Sequence, residues 1–232
     1  MLVILPFEKE FYQKWNYEVE YVGHPLVKVI DDFRASVTTI KTAEKVIALL
    51  PGSRKQEILK KLPIMLKTAE RFPDYKFVVA KAPGIEEDFY NDLLLPYSNV
   101  ASVINKTYEL LSYAVAALVT SGTATLETAL FGVPEIICYK GNTISYQIAK
   151  RLIKIKYICL VNLIMDKEVV TELIQDELTV ENLTNELNKL LNDTAKRNQL
   201  KEDYSSLKRL LSKGGNASAN AAKSIVHFLR VS

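Results

Sequence analysis

From residue 45 to residue 139, short apolar runs rich in β-branched residues alternate with stretches of helical periodicity. The runs KVIALL (45–50) and KFVVA (76–80), with 101–104, 116–119 and 135–139, read as strands. Within 54–72 Ile58, Leu62, Met65, Leu66 and Ala69 recur at helical spacing. Ser53, followed by Gln56 three residues later, has the form of a capping box for that helix. Further helices are expected over 86–95, 108–114, 123–131 and 144–153, the third of these stopped by Gly132 and Pro134. An apolar run follows at 158–163. After residue 166 the pattern reads as helical to the end, with breaks near 176–178, at Asp193 and at Gly214-Gly215. Strands alternating with helices imply an α/β fold: a Rossmann-like parallel sheet wound by helices on both faces, with a helical C-terminal tail. Residues 1–44 offer a strand-like start, a short helix at 8–15, a strand at 18–22 and a Gly23-His24-Pro25 turn. One such passage cannot bury a core of its own.

Composition removes several other classes. With 48% apolar and 25% charged residues over 232 positions, the chain is neither disordered nor low-complexity. A net charge of +3, evenly mixed with acids, gives no electrostatic footprint for nucleic acid. Cys138 and Cys159 lie in the apolar contexts IICYK and YICLV without metal-ligand spacing, and read as reduced, buried thiols of a cytoplasmic protein. No run approaches the ~18 apolar residues of a membrane span, and the start MLVILPFEKEF has no basic leader or cleavage site.

In a parallel sheet, ligands bind where strands end and helices begin, which directs attention to two loops. In TSGTATLETALFGVP a strand ends at Ser121-Gly122 and a helix starts at once, so unpaired backbone N–H groups and the positive end of the helix dipole suit a diphosphate. Thr123 and Glu127 share a helix face, and a carboxylate there can accept hydrogen bonds from ribose hydroxyls. The same residues also suit an ordinary capped helix with a solvated glutamate. In PGSR, Gly52 and Ser53 would expose backbone donors and Arg54 offers a planar fork for phosphate oxygens, or simply a surface charge. His24, in YVGHPL, reads as a structural histidine in a turn, with a general base as the other option; His227 reads as structural. No Ser-His-Asp set and no metal cluster can be assembled. Residues 140–157 carry Lys140, Lys150, Arg151, Lys154 and Lys156 with no acid, interleaved with apolar residues. That is either a basic amphipathic face for anionic lipid or a core-facing helix with a solvated side. Asn162, amid Leu160-Val161 and Leu163-Ile164, is either a hydrogen-bond hub or a ligand contact.

Taken together, ILPFEKEFY, VEYVGHPL, LLPGSRKQEI, TSGTATLETALFGVP, YQIAKRLIKIKYICLVNLI and VVTELIQ, in this order, resemble the lipid-A-disaccharide synthases, GT-B glycosyltransferases of Gram-negative lipopolysaccharide synthesis. The resemblance runs from residue 2 to about 178. It implies transfer of 2,3-diacylglucosamine from UDP to 2,3-diacylglucosamine 1-phosphate without a metal or other cofactor. It also implies work at the cytoplasmic surface of the inner membrane as a peripheral protein, with a homodimer as an option. Carried over by motif, Ser121, Gly122 and Thr123 with Gly52, Ser53 and Arg54 would hold the diphosphate and Glu127 the ribose, while Asn162, Glu172 and Gln175 would line the cleft. Glu135 departs from the pattern, where an apolar or small residue would suit the strand start. Residues 1–25 resemble the end of the first GT-B domain and 26–232 the nucleotide domain, so the acceptor wall and its acidic base would fall outside this chain. A UDP-sugar-binding module without catalysis is a second reading. A UDP-N-acetylglucosamine transferase of peptidoglycan synthesis is a third, disfavoured by YVGHPL, YICLVNLI and ELIQ occurring together.

Overall fold

The computed structural model describes residues 1–37, 42–141 and 156–231. They gather into two compact units, Met1–Thr38 with Glu202–Ser232, and Thr39–Lys201. The smaller unit begins with β1 (Leu2–Val3), α1 (Glu8–Gln13) and β2 (Glu20–Tyr21), the two strands pairing in parallel across the helical connection. A helix absent from the sequence reading follows: α2 (Pro25–Ser36). Proline stands at its first position, where the missing N–H costs nothing. His24 caps it, with Nδ1 accepting from the Leu26 N–H at 3.3 Å.

Among the described residues the larger unit holds a six-stranded sheet. β3 (Val46–Leu50) leads through α3 (Lys55–Ala69) to β4 (Lys76–Lys81), then α4 (Glu87–Leu94) and β5 (Val100–Ile104). α5 (Thr107–Tyr113) crosses back to β6 (Ala116–Thr120), and α6 (Thr123–Leu130) leads to β7 (Glu135–Tyr139). After α7 (Leu160–Met165) come β8 (Thr171–Ile174), a 3-10 turn (Gln175–Glu177) and α8 (Val180–Asn192). Every pairing is parallel and the order is β5-β4-β3-β6-β7-β8. Right-handed crossovers then put α3 and α4 on one face and α5, α6 and α7 on the other, and α8 returns to pack on α3. Ile47, Leu49, Phe77, Val79, Leu118 and Ile137 are fully buried, because a sheet covered on both faces excludes water from every position of its inner strands. The Rossmann-like class is therefore as the alternation implies. The pattern fails after residue 166, where a helix is expected and β8 stands instead. Val169, Val170 and Thr171 are β-branched, and pairing with β7 outweighs the helical appearance of the segment.

The chain closes with α9 (Thr194–Ser212) and α10 (Ala217–Val231). Within the smaller unit Tyr21 Oη donates to the Leu211 carbonyl at 3.4 Å, Asn220 Nδ2 to the Val22 carbonyl at 3.0 Å, and Lys208 pairs with Asp31 at 2.6 Å. Gly23 and Gly214 touch backbone to backbone, so a Cβ on Gly214 would collide with the Gly23 Cα. Packing thus divides the chain near residues 38 and 202, and α2 and the last helices belong with the first strands. Among the described residues no helix is long and apolar enough to cross a membrane. The basic helix expected at 144–153 lies outside the described residues, as does most of the 140–157 segment.

Candidate nucleotide site

Because the six strands are parallel, their carboxyl ends share one edge, and the strand order reverses between β3 and β6. A crevice forms at such a reversal. The cavity there measures about 440 Å³ and is lined by Gly52, Ser53, Arg54 and Glu57, by Lys81 at the end of β4, and by Ser121, Gly122, Thr123 and Glu127. The volume falls in the range of ordinary small-molecule sites. The two loops chosen from sequence therefore meet in one place.

α6 starts at Gly122, whose φ of 155° suits glycine, and a Cβ there would meet nothing. The first N–H groups of a helix have no intrahelical partner, and here they open on the cavity together with the start of α3. The Ser121 hydroxyl donates to the Ile158 carbonyl at 3.1 Å, so its proton is already committed. Glu127 accepts from Tyr108 Oη at 2.9 Å through one carboxylate oxygen. Burial, and then the Glu127 carboxylate, hold the Tyr108 phenol well above its ordinary pKa, so it stays a donor.

On the other wall the expected Ser53 cap does not form. Arg54 occupies the N-cap position without a side-chain cap, and its guanidinium instead binds Glu57 Oε1 at 2.8 Å. Arg54 is 80% exposed, so this pair is weak and its partner exchangeable. Glu57 Oε2 faces Lys61 Nζ at 4.0 Å, and Lys61, 3% exposed, donates to the Thr120 hydroxyl at the end of β6. Burial lowers the Lys61 pKa below the ordinary lysine value, with the Glu57 carboxylate opposing. Lys81 pairs with Glu87 at 2.5 Å.

The three residues taken from the later motifs behave differently. Asn162 is fully buried. Its amide donates to the Val170 carbonyl and to Glu172 Oε1, both at 2.9 Å, and its oxygen accepts from the Val169 and Val170 N–H groups at 2.8 and 3.0 Å. An amide side chain has no further capacity, so the hub reading holds. Glu172 also accepts from Ile158 N at 2.9 Å and Cys159 N at 3.1 Å. Neither residue lines the cavity. Together they clamp the segment whose Ile158 carbonyl receives Ser121. Gln175, also outside the cavity lining, opens the 3-10 turn after β8, buried, with a left-handed φ of 54° and its Nε2 unpaired among the described residues. His24 is a helix cap whose imidazole pKa is lowered by burial, with Glu8 opposing, which keeps Nδ1 an acceptor.

Sequence reasoning missed Lys61, Glu57, Lys81 and Tyr108. A signal existed for the first: Lys61 falls three residues after Ile58, on the apolar face of α3. Tyr108 carried none, since it reaches Glu127 from the preceding crossover.

Residues 1–226 match the family model described as lipid-A-disaccharide synthetase. A lipid-A-disaccharide synthase of Syntrophus aciditrophicus is 36% identical over 97% of this chain and 62% of its own length. That of Hahella chejuensis is also 36% identical, over 99% of this chain and 60% of its own. The chain thus spans about three fifths of the curated relatives it matches. Among solved structures, the calicheamicin glycosyltransferase CalG4 aligns at a TM-score of 0.60 and 17% identity, covering 100% of this chain and 54% of its own. WaaG, a glycosyltransferase involved in lipopolysaccharide biosynthesis, aligns at 0.53 and 15% over 87% of this chain and 50% of its own. These likenesses establish the GT-B fold, and with it the family motifs and the matched length agree: the chain belongs to the lipid-A-disaccharide synthetase family.

Proposed function

We propose that this chain carries the UDP-sugar site of a lipid-A-disaccharide synthase. The reaction would transfer 2,3-diacylglucosamine from UDP to 2,3-diacylglucosamine 1-phosphate, with inversion at the anomeric carbon, releasing lipid A disaccharide 1-phosphate and UDP. The observation that carries the reading is the meeting of two helix N-termini, Arg54 and Glu127 in one cavity at the sheet reversal. The N-terminus of α6 would receive the diphosphate through backbone N–H groups, with the loop at Gly52 and Ser53 opposite. Arg54 would exchange Glu57 for phosphate oxygens and so stabilise UDP as it departs. Glu127, held by Tyr108 through one oxygen, keeps the other for the ribose hydroxyls. Gln175 has a buried amide donor left over at the carboxyl edge of the sheet and would contact the donor sugar. Asn162 and Glu172 would act only through the loop they hold.

Calorimetry with UDP and its 2′-deoxy analogue tests the assignment. Glu127→Ala should weaken UDP by about 1–3 kcal/mol, the value of a hydrogen bond to a charged group, and the deoxy analogue far less. Equal losses would remove Glu127 from the ribose.

A further inference from the structure

We propose that Lys61 is a positioning residue for the anionic ligand: its buried ammonium keeps the Glu57 carboxylate and the Thr120 hydroxyl in place behind the cavity, so that Arg54 is free to leave Glu57 for a diphosphate. The inference deepens the nucleotide reading of the cavity and rests on it.

Three charges follow one another along the start of α3. Arg54 binds one oxygen of Glu57 at 2.8 Å, and the other oxygen faces Lys61 at 4.0 Å. Only the outer cation is exposed; the inner one is almost wholly covered. A buried ammonium is expensive to keep, and an apolar residue in this register would continue the face of Ile58, Leu62 and Met65 and stabilise the helix more simply. Stability therefore does not account for it. The cavity does. Glu57 is part of the wall, so its negative charge shares a confined space with any anion that enters. While the cavity is empty, Arg54 neutralises that charge. When Arg54 turns to the ligand, Glu57 needs a second cation, and Lys61 is the one already placed beside it. Attraction between Lys61 and Glu57 remains when the first pair breaks, and the Lys61 charge offsets part of the repulsion a diphosphate would otherwise meet from Glu57. The hydrogen bond from Lys61 to Thr120 adds a geometric effect. Thr120 is the last residue of β6, directly before the Ser121-Gly122 turn, so the same ammonium steadies the loop that presents the α6 N–H groups.

The test compares UDP with uridine, which lacks phosphate, by calorimetry on wild type, Lys61→Met, Glu57→Gln and the double variant. Lys61→Met should weaken UDP by about tenfold or more and leave uridine nearly unchanged, because only the charged ligand meets the uncompensated Glu57. The double variant should recover most of that loss. Glu57→Gln alone, which is open to test even where Lys61→Met does not fold, should bind UDP as well as wild type or better. Equal losses of UDP and uridine in Lys61→Met, no recovery in the double variant, or a tenfold loss in Glu57→Gln would each overturn the proposal. Wild type that binds UDP with Lys61→Met binding it equally well removes only the role of Lys61. Wild type that binds no UDP removes the nucleotide reading, and this inference falls with it.

Discussion

Glu135 opens β7 opposite Ala117 of β6, 1% exposed, with neither carboxylate oxygen hydrogen-bonded among the described residues. Burial raises its pKa well above the ordinary 4.5, so as pH rises past that value the folded chain holds its proton longer than the unfolded chain does. The sign follows from that difference. Stability from this group is full below about pH 4.5 and is lost as pH rises toward the folded pKa. Glu135→Val should therefore stabilise the protein by about 1–3 kcal/mol near neutral pH, the cost of an unpaired buried polar group. The advantage over wild type should shrink as pH falls toward 4.5. Urea denaturation of both proteins across that range measures it, and a difference independent of pH would show that Glu135 does not titrate differently in the folded and unfolded chains. From sequence Glu135 is only a residue ill suited to a strand start; its isolation comes from the sheet around it. The site residues divide along the same line. Ser121, Gly122, Thr123 and Glu127 were legible because a strand end, a helix start and a four-residue spacing are local facts. Lys61 showed itself as a lysine out of place on an apolar face, but its partner Thr120 lies 59 residues away.

At the scale of elements, the segment from Ile158 to Ile174 is held by one amide. Four hydrogen bonds of Asn162 join α7 to the start of β8, and Glu172 ties the same strand to the backbone at Ile158 and Cys159. Asn162→Ala would orphan the Val169 and Val170 N–H groups in a buried place, at about 1–3 kcal/mol for each group left unpaired. A chain of this size loses about 2–4 °C of melting temperature per kcal/mol, so calorimetric melting should detect the change easily. An unchanged melting temperature would show that water enters and takes over the bonds. This is also where the sequence pattern was weakest. The inner strands announced themselves as continuous apolar runs because both of their faces are covered. β8 is an edge strand of four residues containing Thr171 and Glu172, and its identity lies in pairing with β7 and in the Asn162 clamp. α2 is a different case: Leu26, Ile30 and Phe33 stand at helical spacing behind Pro25, so the signal was present and the reading passed over it.

The two units differ in what secures them. The larger has six hydrogen-bonded strands covered on both faces. The smaller has two strands of two residues each, below the roughly three strands that a sheet needs to stand by itself. Its cohesion comes from helices at the far end of the chain, as in the bond from Asn220 to Val22 across 198 positions. No local pattern could reveal that return. Local opening should follow the same division. Native-state hydrogen exchange should find amides of 1–37 and 202–231 opening at lower free energy than those of β3 and β6. Nucleotide adds a second discrimination, because a ligand stabilises only the states that bind it. With UDP at about 100 times its dissociation constant, opening of the larger unit should become about 100-fold rarer, equivalent to about 2.7 kcal/mol. Openings confined to the smaller unit leave the cavity intact and should keep their rates. Protection gained equally in both units would show that the chain opens as one cooperative block. Protection gained in neither would place the nucleotide outside the cavity between β3 and β6.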